Sequence, residues 1–281
     1  MHAAAPTTGT VRSADGTVIG YRQLGGGPGL VLVHGGMQAS QNLLRLGRAL
    51  SGRFTVYIPD RRGRGLSGPC RPDHGLPTET SDLQALLGHT GACNVFGLSA
   101  GAVIALETAR TSPSITKLAL YEPPLSFDGV SHTEWVPRYE RELAAGKLPA
   151  ALVTIIKATG DRTALRYLPR RLLIGIIALA IRPGQASPAS VTLRDLIPTM
   201  HYDARTVSDA TGPLERFAGL PCDVLLLGGT KSTRHLTATL DGLTAVLPHA
   251  RRVTLHRAGH TAADNGGKPD RVAAQLCDFF T

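Results

Sequence analysis

Short, mostly apolar runs recur along the chain and alternate with longer stretches of helical periodicity. A run that is apolar at every position, such as residues 30–33, is typical of a strand buried on both faces of a parallel sheet. Strands that alternate with helices predict an α/β fold, in which helices cover both faces of a mostly parallel sheet. The predicted strands lie at residues 30–33, 54–59, 95–96, 118–121, 223–229 and 252–255, and the predicted helices at 78–87, 102–110, 236–247 and 270–280.

The beginning of the chain predicts a β-hairpin that brings the sheet to eight strands. Residues 10–12 and 18–23 flank Asp15-Gly16, and Asp-Gly is a turn signal between two strands. Residues 125–215 differ from the rest, because they combine helical periodicity, scattered prolines and the single tryptophan. The pattern therefore predicts a core of residues 1–124 and 216–281, interrupted by a helical segment of residues 125–215.

The longest apolar run, residues 172–181, is apolar on all sides of a helix. It is about half the length that a bilayer-spanning helix needs, so we expect no membrane span. The simplest interpretation is a buried helix. The alternatives are that this helix lines a hydrophobic tunnel or forms the contact of a homodimer.

The net charge of +9 comes mostly from arginine, which occurs singly or in short groups such as Arg61-Arg62. A nucleic-acid interface usually shows a basic stripe interleaved with aromatic residues, and none is present in this sequence. We therefore expect no nucleic-acid partner. An anionic substrate or a merely arginine-rich composition would explain the charge equally well.

The four cysteines lie far apart and show no paired spacing. We expect them to be reduced thiols that form neither a metal site nor a disulfide framework. Residues 1–10 contain no apolar stretch that could serve as a secretory signal, so the predicted location is cytoplasmic.

The motif Gly-x-Ser-x-Gly at residues 97–101 follows a short apolar strand and precedes a helical run. A serine becomes a useful nucleophile when it protrudes from a sharp strand-to-helix turn, where neighbouring side chains would clash unless they are glycines. The first helical N–H group, that of Ala100, is free to bind the oxygen of an acyl group. A plain Gly/Ser loop would also fit these five residues, so the surrounding motifs must decide.

The order of the remaining motifs resembles that of the α/β-hydrolase fold, over nearly the whole chain outside residues 125–215. His34-Gly35-Gly36 follows one strand, Asp-x-x-Gly-x-Gly-x-Ser at residues 60–67 follows the next, and Gly259-His260 follows the last. The resemblance implies that Ser99 is the nucleophile and His260 its general base. It further implies that the helical segment after the sixth strand is a cap over the site.

The resemblance also implies an oxyanion site made by two backbone N–H groups. These belong to Ala100 and Gly36, with Met37 as the alternative if the register differs by one residue. His34 and the loop of residues 60–67 are expected to hold the shape of the site without taking part in catalysis.

The acid is where the sequence departs from the common family pattern. The loop after the seventh strand, residues 228–233, lacks the usual aspartate. Some relatives, such as certain haloalkane dehalogenases, carry the acid after the sixth strand, where this chain has Glu122. Pro123-Pro124 is expected to hold the Glu122 backbone extended. Asp264, Asp241 or a Ser–His dyad without an acid are the alternatives.

The resemblance therefore predicts a serine hydrolase that cleaves an ester, thioester or lactone through an acyl-enzyme. It implies a small hydrophobic or acyl-type substrate and neither a cofactor nor a metal. A C–C hydrolase, a cofactor-free haloperoxidase or a biosynthetic cyclase would use a similar site. A ligand-binding member with low turnover is a further alternative, because the usual acid is missing.

Overall fold

The computed structural model describes residues 5–129, 131–159, 167–181 and 190–281. Its centre is an eight-stranded sheet with the order β1-β2-β4-β3-β5-β6-β7-β8. The strands are β1 (Thr7–Arg12), β2 (Val18–Leu24), β3 (Gly29–Val33), β4 (Thr55–Pro59), β5 (Asn94–Leu98), β6 (Lys117–Tyr121), β7 (Asp223–Gly229) and β8 (Arg251–Leu255). β2 pairs antiparallel with β1 and β4, and all other neighbours are parallel. The predicted hairpin and mostly parallel sheet are therefore confirmed.

Helices cover both faces of this sheet, as the sequence predicts. The helices are α1 (Leu44–Leu50), α2 (Leu76–Thr90), α3 (Ala100–Thr111), α4 (Val136–Ala144), α5 (Leu148–Thr159), α6 (Arg170–Ala180), α7 (Leu193–Leu196), α8 (Met200–Asp209), α9 (Arg234–Val246) and α10 (Pro269–Phe280). Leu30 and Leu32 of β3 pack with α1 and α10, whereas Val31 and Val33 pack with α2 and α3. A strand with two buried faces needs apolar residues at successive positions, which explains the uninterrupted apolar runs.

Helices α4 to α8 lie between β6 and β7 in the sequence, and we call them the helical insertion. They have a hydrophobic cluster of their own, in which the hydroxyl of Tyr139 donates a hydrogen bond to the carbonyl of Ile197 (2.8 Å). Helix α8 joins this insertion to the core by packing against α2 and α3. The division of the chain at residues 124 and 216 stays a prediction.

The expectation of a fully buried helix at residues 172–181 is wrong for one side of α6. Leu173 and Ile177 are buried, but Leu172, Ile176 and Leu179 are exposed by 54%, 45% and 63%. These positions share one face of the helix, so α6 buries one stripe and presents the other to solvent. Among the described residues, no helix combines the length and apolar character that crossing a bilayer requires.

Candidate active site

Ser99 occupies the single residue between the end of β5 and the start of α3. Its φ of 55° lies in the left-handed region that L residues rarely adopt. A Cβ at Gly97 would lie 2.5 Å from Cα of Ala102, and one at Gly101 would lie 2.4 Å from the carbonyl oxygen of Val33. Only glycine fits at these two positions, so the strand and the helix can meet in a turn tight enough to expose the serine.

His260 lies in the loop after β8, with its ring against Ser99. The distance from Nε2 of His260 to Oγ of Ser99 is 2.9 Å. The loop is held by its backbone, because the carbonyl of Gly259 accepts a hydrogen bond from the Tyr121 hydroxyl (2.8 Å). A Cβ at Gly229 would lie 2.2 Å from the Ala258 carbonyl oxygen, so the end of β7 also approaches this loop closely.

Glu122 directly follows β6, and its carboxylate reaches the other nitrogen of the same imidazole. Oε2 lies 2.8 Å from Nδ1 of His260, and Oε1 accepts the N–H of Gly229 at 2.7 Å. Its φ is 49°, so the expectation of an extended backbone at Glu122 is wrong. The strained conformation is held by these bonds and by the Glu122 N–H, which donates to the Leu227 carbonyl (3.1 Å).

The other carboxylates considered from the sequence bind elsewhere. Oδ2 of Asp264 accepts a hydrogen bond from the Gln38 side chain (2.8 Å), and Asp241 pairs with Arg252 on the surface (2.6 Å). The loop after β7 contains Ser232, which is buried and whose Oγ has no hydrogen-bond partner within the described ranges. Glu122 is therefore the carboxylate that the structure brings to His260.

The loop after β3 presents backbone amides beside Ser99. The N–H of Gly35 donates to Oε1 of Gln38 (2.9 Å), and the N–H of Met37 donates to Oδ2 of Asp203 (2.9 Å). The N–H groups of Gly36 and Ala100 have no hydrogen-bond partner in the part of the chain that the structure describes, and both residues line the cavity at Ser99. Met37, the alternative in the sequence, has its N–H occupied.

This geometry agrees with the comparison to known families, since residues 30–275 match the model of the alpha/beta hydrolase family. The chain belongs to the α/β hydrolase family. It is similar to an alpha/beta hydrolase of known structure from Sphaerobacter thermophilus DSM 20745, with 32% identity, a TM-score of 0.78 and coverage of 97% of this chain and 100% of that one.

Two curated proteins are also similar to this α/β hydrolase. A pimeloyl-[acyl-carrier protein] methyl ester esterase from Xanthomonas campestris pv. campestris (strain B100) is 27% identical over 266 residues, which are 91% of this chain and 96% of the esterase. The magnesium-chelatase 30 kDa subunit from Rhodobacter capsulatus is 33% identical over 139 residues. That match spans 48% of this chain and 49% of the subunit, about half of each protein.

His34 supports the site of this hydrolase without reaching the reacting atoms. It is fully buried, its Nδ1 donates to the Gly35 carbonyl (2.9 Å) and its Nε2 accepts the N–H of Arg61 (3.2 Å). Burial, together with the charges of Arg64 and Arg61, lowers the pKa of His34 to about 3. A neutral imidazole with one donor and one acceptor fits these two contacts. This agrees with a role in holding the loop.

A cavity of about 560 Å³ opens next to Ser99 and His260. Helices α5 and α8 of the insertion give it an apolar wall, while the loop after β6 and helix α9 add two histidines. Burial first, and then the charges of His235 and His260, lower the pKa of His132 to about 4. Residues that line this part of the cavity include Leu152, Ile155, Ile156, Met200, Ala204, Val207, His132 and His235. No group of described histidine, cysteine or acidic residues could hold a metal ion.

Two residues at this site carry no signal that sequence reasoning used. Gln38 accepts the Gly35 N–H and donates to Asp264, so it connects the loop after β3 to the loop of His260. Asp203 accepts the Met37 N–H although the two residues are 166 positions apart. From the sequence, position near the end of the helical segment made Asp203, with His201 and Tyr202, a candidate for reaching the substrate, and nothing distinguished it from these two neighbours.

Proposed function

We propose that this α/β hydrolase is a serine esterase in which Ser99, His260 and Glu122 form a catalytic triad. The observation that carries this proposal is the continuous chain of contacts from Oγ of Ser99 to Nε2 of His260 (2.9 Å) and from Nδ1 to Oε2 of Glu122 (2.8 Å). Each link lies within the range of a strong hydrogen bond, and the order of groups is nucleophile, base and acid.

The first step is attack of the Ser99 oxygen on the carbonyl carbon of the ester. Nε2 of His260 takes the serine proton, which requires that Nδ1 carries a hydrogen and donates it to Glu122. The Glu122 carboxylate fixes this tautomer and stabilises the imidazolium that forms. It is suited to this, because it is only 1% exposed and already bonded to Gly229.

The carbonyl oxygen becomes negatively charged as the tetrahedral intermediate forms. The N–H groups of Gly36 and Ala100 are the donors that we propose for this oxyanion, and they need no reorganisation at that moment. Collapse of the intermediate expels the alcohol or thiol, which takes its proton from Nε2 of His260. Water activated by His260 then releases the acid from the acyl-enzyme and regenerates Ser99.

The substrate that we propose is a small ester or thioester with an apolar acyl chain or alcohol. A cavity of about 560 Å³ is of the size that typically holds a small molecule, and helices α5 and α8 line it with apolar side chains. The methyl ester esterase among the relatives supports ester chemistry. In this account the helical insertion, within residues 125–215, acts as a cap that selects the substrate.

A fluorophosphonate probe tests the proposal, because it labels only a serine whose hydroxyl is activated. We expect rapid labelling of the wild type and none of the Ser99→Ala variant. Ser232→Ala is the matched control, since Ser232 is a buried serine in the loop after β7 whose Oγ forms no hydrogen bond within the described residues. Labelling of Ser99→Ala at the wild-type rate would overturn the proposal.

A further inference from the structure

Asp203 lies on α8 of the helical insertion and reaches the core at the loop after β3. Its side chain is 1% exposed. Oδ2 accepts the N–H of Met37 at 2.9 Å, and Oδ1 lies 2.8 Å from Nη1 of Arg61 and 3.1 Å from Nη2 of Arg64. A single carboxylate of the insertion therefore contacts two separate loops of the core.

The contact with Met37 lies in a loop whose conformation is strained. Met37 has a φ of 52°, a conformation that costs free energy unless the surroundings enforce it. With the N–H of Gly35 bonded to Gln38 and that of Met37 bonded to Asp203, the intervening N–H of Gly36 is left unpaired among the described residues. Gly36 also packs tightly here, because a Cβ would lie 3.3 Å from Oδ2 of Asp203.

A buried carboxylate beside an oxyanion site would repel the charge that develops there unless that carboxylate is neutralised. Burial alone would raise the pKa of Asp203, but the charges of Arg64 and Arg61 outweigh burial and lower that pKa. Arg61 in turn forms a close ion pair with buried Glu79 (2.6 Å). The guanidinium groups of Arg61 and Arg64 thus face the carboxylates of Asp203 and Glu79, and His74 also contacts Glu79 (2.9 Å). The two guanidinium groups permit Asp203 to stay ionised and accept the Met37 N–H.

We propose that Asp203 is a positioning residue through which the helical insertion holds the loop of residues 35–38 in the shape that leaves the Gly36 N–H available to the oxyanion. This inference rests on the proposed serine esterase function. The insertion would then do more than enclose the substrate, because Asp203, the acceptor of the Met37 N–H, belongs to the insertion and not to the core.

The test compares Asp203 with Asp209, which lies on the same helix and also joins the insertion to the core. Oδ2 of Asp209 accepts the N–H of Leu76 at 3.0 Å, at the start of α2 and not in the loop of residues 35–38. Leucine has a similar size but accepts no hydrogen bond. We expect Asp203→Leu to lower kcat by about 10²-fold with KM within about threefold, as for loss of one oxyanion donor. Asp209→Leu should keep kcat within about threefold.

Two further measurements distinguish a positioning role of Asp203 from a loss of folding in its variants. Asp203→Asn keeps an oxygen that can accept the Met37 N–H, so it should recover part of the lost kcat. A trifluoromethyl ketone forms a tetrahedral adduct with the serine, and its inhibition constant should rise in Asp203→Leu by the same factor as kcat/KM falls. If Asp203→Leu does not fold, the same ketone measurement on Asp203→Ala replaces it, because alanine is smaller and likewise accepts no hydrogen bond.

Equal effects of Asp203→Leu and Asp209→Leu on kcat, or an unchanged affinity for the ketone in the Asp203 variant that lacks a hydrogen-bond acceptor, would overturn the inference. Formation of the ketone adduct by the wild type but not by Ser99→Ala, followed by fluorine NMR because that variant has no turnover to inhibit, establishes the serine chemistry independently. A negative result at Asp203 then counts against this inference and not against the proposed function.

Discussion

The core and the helical insertion contribute to the site in different ways. The core provides the proposed chemical groups from residues that directly follow its strands, with Ser99 after β5 and Glu122 after β6. In a parallel sheet the carboxyl ends of neighbouring strands meet at one edge, so these groups converge wherever the sheet forms. The insertion provides the cavity wall and Asp203 from helix faces, which no strand end fixes. Under the proposed function, the sheet would determine the chemistry, and the insertion would determine the substrate and the fine geometry.

Strained backbone conformations also occur mainly in the core, at the residues of the site. Five non-glycine residues in the described ranges have a positive φ, and three of them are Met37, Ser99 and Glu122 in loops of the core. Such conformations persist only where the surrounding bonds enforce them, and they cluster at functional sites.

The largest effect is expected where the core supplies the nucleophile. Ser99→Ala removes the attacking oxygen but leaves the glycines of the turn in place, so the fold should persist. Turnover of a short p-nitrophenyl ester should fall by several orders of magnitude. Activity of Ser99→Ala above roughly a tenth of wild type would mean that the core does not supply the nucleophile.

The next effect is expected at Glu122, the proposed acid, which follows β6 and not β7. Glu122→Gln keeps the shape but favours the wrong imidazole tautomer and leaves the imidazolium unstabilised. By analogy with the Asp-to-Asn change in a serine protease triad, turnover should fall by roughly 10³–10⁴-fold. Steady-state kinetics on the ester checks this, and a loss below tenfold would make Glu122 a bystander.

A second substitution tests whether a carboxylate in the loop after β7 can replace the one at Glu122. Ser232 is buried in the loop after β7, where relatives usually carry the aspartate. Ser232→Asp should partly restore turnover in the Glu122→Gln background, because it returns a carboxylate from the neighbouring strand. Ser232→Asp in the wild-type background is the control and should show no gain.

A smaller effect, on KM, is expected from a substitution in the cavity wall that the insertion provides. Ile156 of α5 is half-buried and lines the cavity, so Ile156→Trp should fill space that a long acyl chain would use. We expect KM for long-chain p-nitrophenyl esters to rise by about tenfold, with that for the acetate little changed. Ile176→Trp, on the exposed face of α6, is the matched control. A uniform fall of kcat across chain lengths would instead assign Ile156 to the chemistry.

The smallest effect is one on stability in the core. Burial, with Arg64 and Arg61, lowers the pKa of His34 from an ordinary 6.5 to about 3, so between these pH values the unfolded chain binds a proton that the folded chain does not. The free energy of unfolding should therefore fall as pH drops below 6.5, by roughly 2 kcal/mol at most between pH 7 and 5. His34→Asn should remove this part of the slope in urea titrations. An unchanged slope would contradict the burial argument.

Sequence reasoning succeeded for the sheet, because apolar runs and one turn signal indicate its eight strands. The glycines beside Ser99 mark the tight turn. The family resemblance, and not a local pattern, pointed to Glu122, whose carboxylate lies 2.8 Å from His260. Sequence reasoning failed at the backbone of Glu122, because the preference of a residue before proline is weaker than the bonds to Leu227 and Gly229. It named Asp203 only by its position and missed its contacts with residues 139 and 166 positions away, since no local pattern encodes such a contact.

The central claim is that Ser99 carries an acyl group during turnover, and rapid-quench mass spectrometry tests it most directly. The enzyme is mixed with excess p-nitrophenyl butyrate, quenched in acid within the first turnover and digested. We predict a burst of p-nitrophenol and a butyryl mass on the peptide that contains Ser99, with both signals absent in Ser99→Ala. Turnover without any acylated peptide, or an acyl group on another residue, would contradict the account.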